Sequence, residues 1–153
     1  LLRLPEALID DSTAIVPGLD GRKMSKSYDN TIPLFAPPKQ LRKIVNKIVT
    51  DSTPPEAPKD PDTSMVFQLY KLFASPEQIT ALRDRYQQGI GWGEAKAALA
   101  DVLEATLAEP RERYNALIAD RAGLDAVLVR GAERARAIAR PVLERVRQAI
   151  GIR

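Results

Sequence analysis

Residues 75–107 read "SPEQITALRDRYQQGIGWGEAKAALADVLEATL", and this stretch decides the fold class. Ser75-Pro76-Glu77-Gln78 has the form of a capping box: a hydroxyl that can accept from the backbone N–H three residues on, and an amide side chain that can reach back. Pro76 falls at the first helical position, where its missing N–H costs nothing. Ile79, Leu82 and Tyr86 then recur on one helical face, and Gly89 supplies a stop. "GIGWG" predicts a tight turn. After it the apolar stripe resumes through Ala95, Leu99, Val102, Leu103 and Leu107, and continues to Tyr114, Leu117 and Ile118. Pro110 is predicted to kink or split that second helix.

Working outward toward the carboxy terminus, Gly123 and Gly131 are expected to punctuate a short helix. A last helix should turn Ala135, Ile138, Val142, Val146 and Ala149 inward, with a bend at Pro141. Toward the amino terminus, Met65, Val66, Leu69, Leu72 and Phe73 form another stripe, with Asp62 or Thr63 as its expected N-cap. Residues 50–63, "TDSTPPEAPKDPDT", are too proline-rich for a helix. Pro37-Pro38 opens a helix in which Leu41, Ile44, Val45 and Ile48 share one face and Lys39, Lys43 and Lys47 the other. "TIPLF", 31–35, reads as extended, and "STAIVPG", 12–18, as a strand or extended segment stopped by Pro17-Gly18. The expected architecture is mainly α. A helical bundle with short loops occupies 36–153, preceded over 1–35 by a short edge of an α/β domain.

Composition sets limits on the chemistry. Apolar residues are 44% of the 153, enough for a real core. No apolar run is long enough to cross a membrane, and no signal-peptide pattern opens the chain. There is no cysteine and no histidine, which excludes disulfides, thiolate metal sites and every histidine-based triad or zinc site within these residues. The chain begins at Leu1, and "LLRLPEALID" carries no cap; the expectation is a piece of a longer protein. The net charge is only +3, but it is segregated. Arg22, Lys23, Lys26, Lys39, Arg42, Lys43 and Lys47 face only Asp20 and Asp29 within 20–47, and six arginines face Glu133 and Glu144 within 130–147. Segregated positive charge favours polyanionic partners.

The stretch "DGRKMSKSYDN", 20–30, carries the chemistry. Two lysines three apart, among serine hydroxyls and just after an Asp-Gly turn, suit a loop that closes on an anion. Ammonium groups on long stems act as mobile point charges, the hydroxyls add directed bonds, and Met24 offers an apolar anchor. Charge so placed at a leaving phosphate is worth a few kcal/mol per contact. The spacing from Gly18 to Gly21 does not fit a P-loop. Arg22-Lys23-Met24-Ser25 leaves a phosphorylation site at Ser25 as a rival reading.

Lys23-Met24-Ser25-Lys26-Ser27 is identical to the second signature of the class I aminoacyl-tRNA synthetases. Together with "PGLDGRKMSKSYDNTIPLF", "TDST", "KDPDTSMVFQLYKLFA", "GIGWGEAKAALADVL" and "GAERARAIARPVLERVR", it resembles the carboxy-terminal part of the bacterial tryptophanyl-tRNA synthetases, over essentially the whole chain. The resemblance implies that 1–35 are a remnant of the class I nucleotide-binding catalytic domain and that 36–153 form a helical, tRNA-binding domain. It implies tryptophan activation with ATP and Mg2+, followed by charging of tRNA(Trp), in a cytoplasmic homodimer. Lys23 and Lys26 match the lysines that stabilise the departing pyrophosphate. Met24, Ser25 and Ser27 match the ATP-binding loop, and Ala14 and Ile15, with Val16, match the strand edge beside adenine. The first class I signature, His-x-Gly-His, cannot occur in a chain without histidine, so these residues alone are expected to be inactive. The alternatives are the tyrosyl relative and a non-enzymatic helical RNA-binding module.

Other candidates carry two readings each. Arg136, Arg140 and Arg147 line one side of the last apolar stripe, where they either contact tRNA phosphates or border the core and pair with carboxylates. Lys39, Lys43 and Lys47 either face tRNA or form a solvated face, the latter being favoured. Trp92 offers a stacking surface for a base, but an aromatic at a helix start more often packs against that helix. Asp51, Asp60 and Asp62 read as turn formers and caps in preference to a metal cluster.

Overall fold

The computed structural model describes residues 2–9 and 14–152. The order of elements is a one-turn 3-10 helix Lys26–Tyr28, then α1 (Pro38–Asn46), α2 (Met65–Lys71), α3 (Pro76–Gln88), α4 (Trp92–Ala119) and α5 (Arg121–Ala149). The fold is therefore mainly α, as the periodicities required. Two compact units result: Ile9–Glu112, and Leu1–Leu8 with Arg113–Arg153.

The first of these holds the core. α1 contributes Leu41 and Val45, with Ile48 just beyond it; α2 contributes Val66, Phe67, Leu69 and Tyr70; α3 contributes Leu82 and Tyr86. α4 closes the cluster with Ala95, Leu99, Val102, Leu103 and Leu107. Tyr86 meets Phe67 edge-on at 5.3 Å, and both rings are fully buried. Burying a side chain of that size contributes about 1.5–3 kcal/mol. The surface pair Arg42–Asp101, 2.6 Å, links α1 to α4 and contributes at most about 1 kcal/mol. Apolar burial therefore outweighs it in setting how these helices pack.

The local signals hold where both partners are close in sequence. Ser75 Oγ accepts from the Gln78 N–H and Gln78 Oε1 accepts from the Ser75 N–H, completing the capping box. Pro38 starts α1, and Gly89 ends α3 at φ 103°. The N-cap of α2, however, is Ser64, whose hydroxyl accepts from Phe67 N–H. Neither expected residue is free to act: Arg83 takes the Asp62 carboxylate, and the Thr63 hydroxyl donates to the Asp60 carbonyl.

Of the strand or extended segment expected at 12–18, the strand does not form. Ser12 and Thr13 lie outside the described residues, and the remainder forms no strand, only an isolated antiparallel bridge between Pro17 and Lys23. Pro17 has no N–H to extend a ladder. Proline and glycine also fail to interrupt the long helices. α4 runs unbroken through Pro110, where Arg111, largely buried, grips Glu104 with its two terminal guanidinium nitrogens across two turns. α5 runs unbroken through Gly123, Gly131 and Pro141, so the separate short helix does not form. An interior glycine weakens a helix by about 1 kcal/mol relative to alanine but ends it only where the backbone turns left-handed. Neither Gly123 nor Gly131 does so.

The unit of Leu1–Leu8 with Arg113–Arg153 has no buried side chain among its described residues, which corrects the inward stripe expected there. Tyr114, Leu117, Ile118 and Ile138 are exposed. Ala135 and Ala149 are exposed as well, and only Val142 and Val146 are half-covered. Periodicity specifies a face, but burial also needs a surface opposite it.

Candidate functional site

The lysine loop belongs to the Ile9–Glu112 unit and is a folded structure in its own right. Residues 16–24 form a hairpin: Met24 N–H donates to the Val16 carbonyl at 2.9 Å and Gly18 N–H to the Arg22 carbonyl at 2.7 Å. Gly21, at φ 84°, closes its turn by donating to the Gly18 carbonyl. A side chain there would be strained by that φ and would also press on Met65 Sδ. Ser25 then caps the 3-10 turn Lys26–Tyr28 by accepting from Ser27 N–H, and Asp29, left-handed at φ 52°, redirects the chain. Leu19 fastens the assembly from both sides: its N–H donates to the Asn30 carbonyl, and its carbonyl accepts from Val49 N–H.

At the centre sits Asn30, only 3% exposed. Its Nδ2 donates to Asp20 Oδ1 at 2.7 Å and to the Lys23 carbonyl at 3.2 Å, and its Oδ1 accepts from Ser25 N–H at 2.8 Å. Gly18 lies so close that a Cβ would fall 2.2 Å from Asn30 Nδ2. The glycine is thus required for close approach. Met24, half-buried, lines an apolar cavity of about 160 Å3 with Val16, Ile32, Leu69, Phe73 and Leu103, which ties the loop to α2 and α4. Met24 is also packed against the buried core cluster.

The three cations of the loop are not equivalent. Arg22 is neutralised: its Nε donates to Asp20 Oδ2 at 2.6 Å, and its guanidinium lies 4.4 Å over the Tyr28 ring. Asp20 also accepts from Arg22 N–H. The Asn30 amide, followed by these Arg22 contacts, holds the Asp20 carboxyl at about 2, below its ordinary 3.8. Lys23 and Lys26 are exposed, and neither ammonium has a hydrogen-bond or ion-pair partner among the described residues. The loop therefore presents two uncompensated positive charges on a fixed backbone. That arrangement suits stabilising negative charge which arrives from outside.

The other sequence candidates fall elsewhere. Ala14 and Ile15 are exposed and make none of the loop's bonds. Trp92 is packed rather than offered for stacking: its indole N–H donates to Asp51, its ring meets Tyr86 at 6.0 Å, and Lys59 lies 5.5 Å from its centroid. Asp51 accepts from Thr53 N–H and Asp60 from Asp62 N–H, and the Thr53 contacts and then the indole keep the Asp51 carboxyl below its usual range. These aspartates are turn formers, and no metal-holding group of acids exists among the described residues. Lys39, Lys43 and Lys47 are exposed, the solvated face expected of them. In the separate Leu1–Leu8 and Arg113–Arg153 unit, Arg136 and Arg140 are exposed on α5, while Arg147 pairs with Glu144 at 3.0 Å. Sequence reasoning missed Asn30, Gly18 and the neutralising role of Asp20. Only the Asp-Gly turn and the Asp-Asn pair that bounds the loop hinted at them.

The hairpin thus presents, on a backbone packed against helices, the Lys-Met-Ser-Lys-Ser string of the class I synthetases with both lysines unpaired. Residues 1–108 match the family of class I tRNA synthetases for W and Y, and the chain belongs to that family. Its relatives narrow the comparison. It is 53% identical over 150 residues to a tryptophan–tRNA ligase of Pseudomonas aeruginosa, covering 98% of this chain and 34% of that protein. It is 49% identical over 153 residues to a tryptophan–tRNA ligase of Neisseria meningitidis serogroup A, covering 46% of it. A crystal structure of tryptophanyl-tRNA synthetase from Campylobacter jejuni, complexed with ADP and tryptophan, superposes with a TM-score of 0.83 at 41% identity over 97% of this chain and 47% of that one. The chain thus spans a third to a half of the length of these relatives.

Proposed function

We propose that these residues are the carboxy-terminal part of a tryptophan–tRNA ligase, which activates tryptophan with Mg-ATP and charges tRNA(Trp). The tryptophan carboxylate attacks the α-phosphorus, the bond to the bridging oxygen breaks, and pyrophosphate leaves with the electron pair. Lys23 and Lys26 meet the charge that gathers on that leaving group, and the Ser25 and Ser27 hydroxyls donate to the same oxygens. Ala14 and Ile15 lie beside the adenine. Residues 1–35 belong with the catalytic domain and 36–153 with the tRNA-binding domain, where Arg136, Arg140 and Arg147 contact tRNA phosphates. The complete enzyme is a cytoplasmic homodimer. The 153 residues alone do not activate tryptophan, because the His-x-Gly-His signature and the amino-acid pocket belong to the catalytic fold.

One observation carries this reading: of three cations in the loop, the two lysines of the signature are the ones left without a counter-ion. The test replaces the matching part of the Pseudomonas aeruginosa ligase with this chain and measures tryptophan-dependent ATP–pyrophosphate exchange. Lys23→Ala and Lys26→Ala should each lower kcat by about 10²–10³, with tryptophan affinity retained, since the contact strengthens in the transition state. Unchanged kcat in both, or measurable exchange by the 153 residues alone, would overturn it.

A further inference from the structure

The buried polar side chains among the described residues are Asn30, Lys59, Ser64 and Arg111. Three of them serve the helical core. Lys59 holds the carbonyls of Pro54 and Ala57, Ser64 caps α2 and bonds Tyr86, and Arg111 straps α4 through Glu104. Asn30 differs: every hydrogen bond of its side chain ends inside the lysine loop, on Asp20, Lys23 and Ser25. A buried amide is costly unless paired, and this one is paired at both ends within eleven residues of chain. Its partners include the backbone on each side of Met24, whose side chain is itself anchored in the apolar cavity.

We propose that Asn30 is a positioning residue for the lysine pair, fixing the backbone at Lys23 and Ser25 so that the stems of Lys23 and Lys26 leave the loop from set points. The inference rests on the role given to those lysines above. Without the brace the hairpin samples other shapes, and the ammonium groups meet the leaving pyrophosphate together less often. Charge stabilisation is lost as the geometry loosens, while the amino-acid pocket is untouched.

The test uses the same exchanged ligase. Asn30→Ala should lower kcat for ATP–pyrophosphate exchange by about 10–100-fold while the KM for tryptophan stays within about two-fold. Because Asn30 acts through the lysines, adding Asn30→Ala to Lys26→Ala should lower kcat by far less than the product of the two single effects. A residue that merely supported the fold would instead lower both backgrounds alike and shift the melting of the helices. Should Asn30→Ala not fold, Asn30→Ser leaves one small hydroxyl at the site and places no second carboxylate beside Asp20, so it should fold and show a smaller loss of kcat. If Lys26→Ala lowers kcat but neither Asn30 variant does, or if the effects multiply, the inference about Asn30 falls and the lysine reading stands. If Lys26→Ala itself is without effect, both fall.

Discussion

Gly18→Ala tests the packing of the loop most directly. The added Cβ would lie 2.2 Å from Asn30 Nδ2, 2.4 Å from its Cγ and 2.9 Å from its carbonyl oxygen. The first of these is roughly 1 Å inside van der Waals contact. Asn30 is held on three sides, so it cannot yield by a small rotation; its side chain must leave the site. All three of its side-chain bonds then go, to Asp20, to the Lys23 carbonyl and from Ser25 N–H. The two to backbone alone, at about 0.5–1.5 kcal/mol net for each, take about 1–3 kcal/mol from the local stability of the loop. Amides that exchange by local opening should then exchange about 5–150-fold faster. The assay is native-state hydrogen exchange on the 153-residue chain. Ser25, bonded to Asn30 Oδ1, and Leu19, bonded to the Asn30 carbonyl, report the loop, and the α4 amides around Leu99 report the core. Unchanged protection at Ser25 would refute the reasoning, and so would equal acceleration in α4, which would mean that the loop is not a local unit.

Two further outcomes are expected. In nuclear magnetic resonance titration the Asp20 carboxyl should have its midpoint near 2 and move back toward 3.8 in Asn30→Ala. Since the folded value is depressed, the contribution of this brace is complete above pH 3.8 and is lost as the pH falls toward 2; an unmoved midpoint in the variant would remove Asn30 as the leading cause. In the exchanged ligase, Arg140→Gln should weaken tRNA binding and flatten its salt dependence by about one unit of log–log slope, and Arg147→Gln by less, because Glu144 already pairs with Arg147. An unchanged slope would leave α5 without a phosphate contact at these positions.

The helices were legible in the sequence because their signals are local. The Ser75–Gln78 box, Pro38 at a helix start and Gly89 at a helix end each act within one turn of chain, and the apolar spacing of Leu82, Tyr86, Leu99 and Leu103 follows from the 3.6-residue period. The lysine string was equally plain, since ammonium and hydroxyl groups at short spacing keep their chemistry in any context. What tertiary structure decided was which groups are already engaged. Arg22 and Lys23 are adjacent cations, yet Asp20 and the Tyr28 ring occupy one and leave the other open. Asp62 or Thr63 was expected to cap α2, yet Ser64 does so, and Arg83, 21 residues from Asp62, holds that carboxylate elsewhere. The stripe on α5 has the period of a buried face but no buried residue. A side chain's type and spacing are written in the chain, but its partner is set by whichever group, near or distant in sequence, folding brings within about 3 Å.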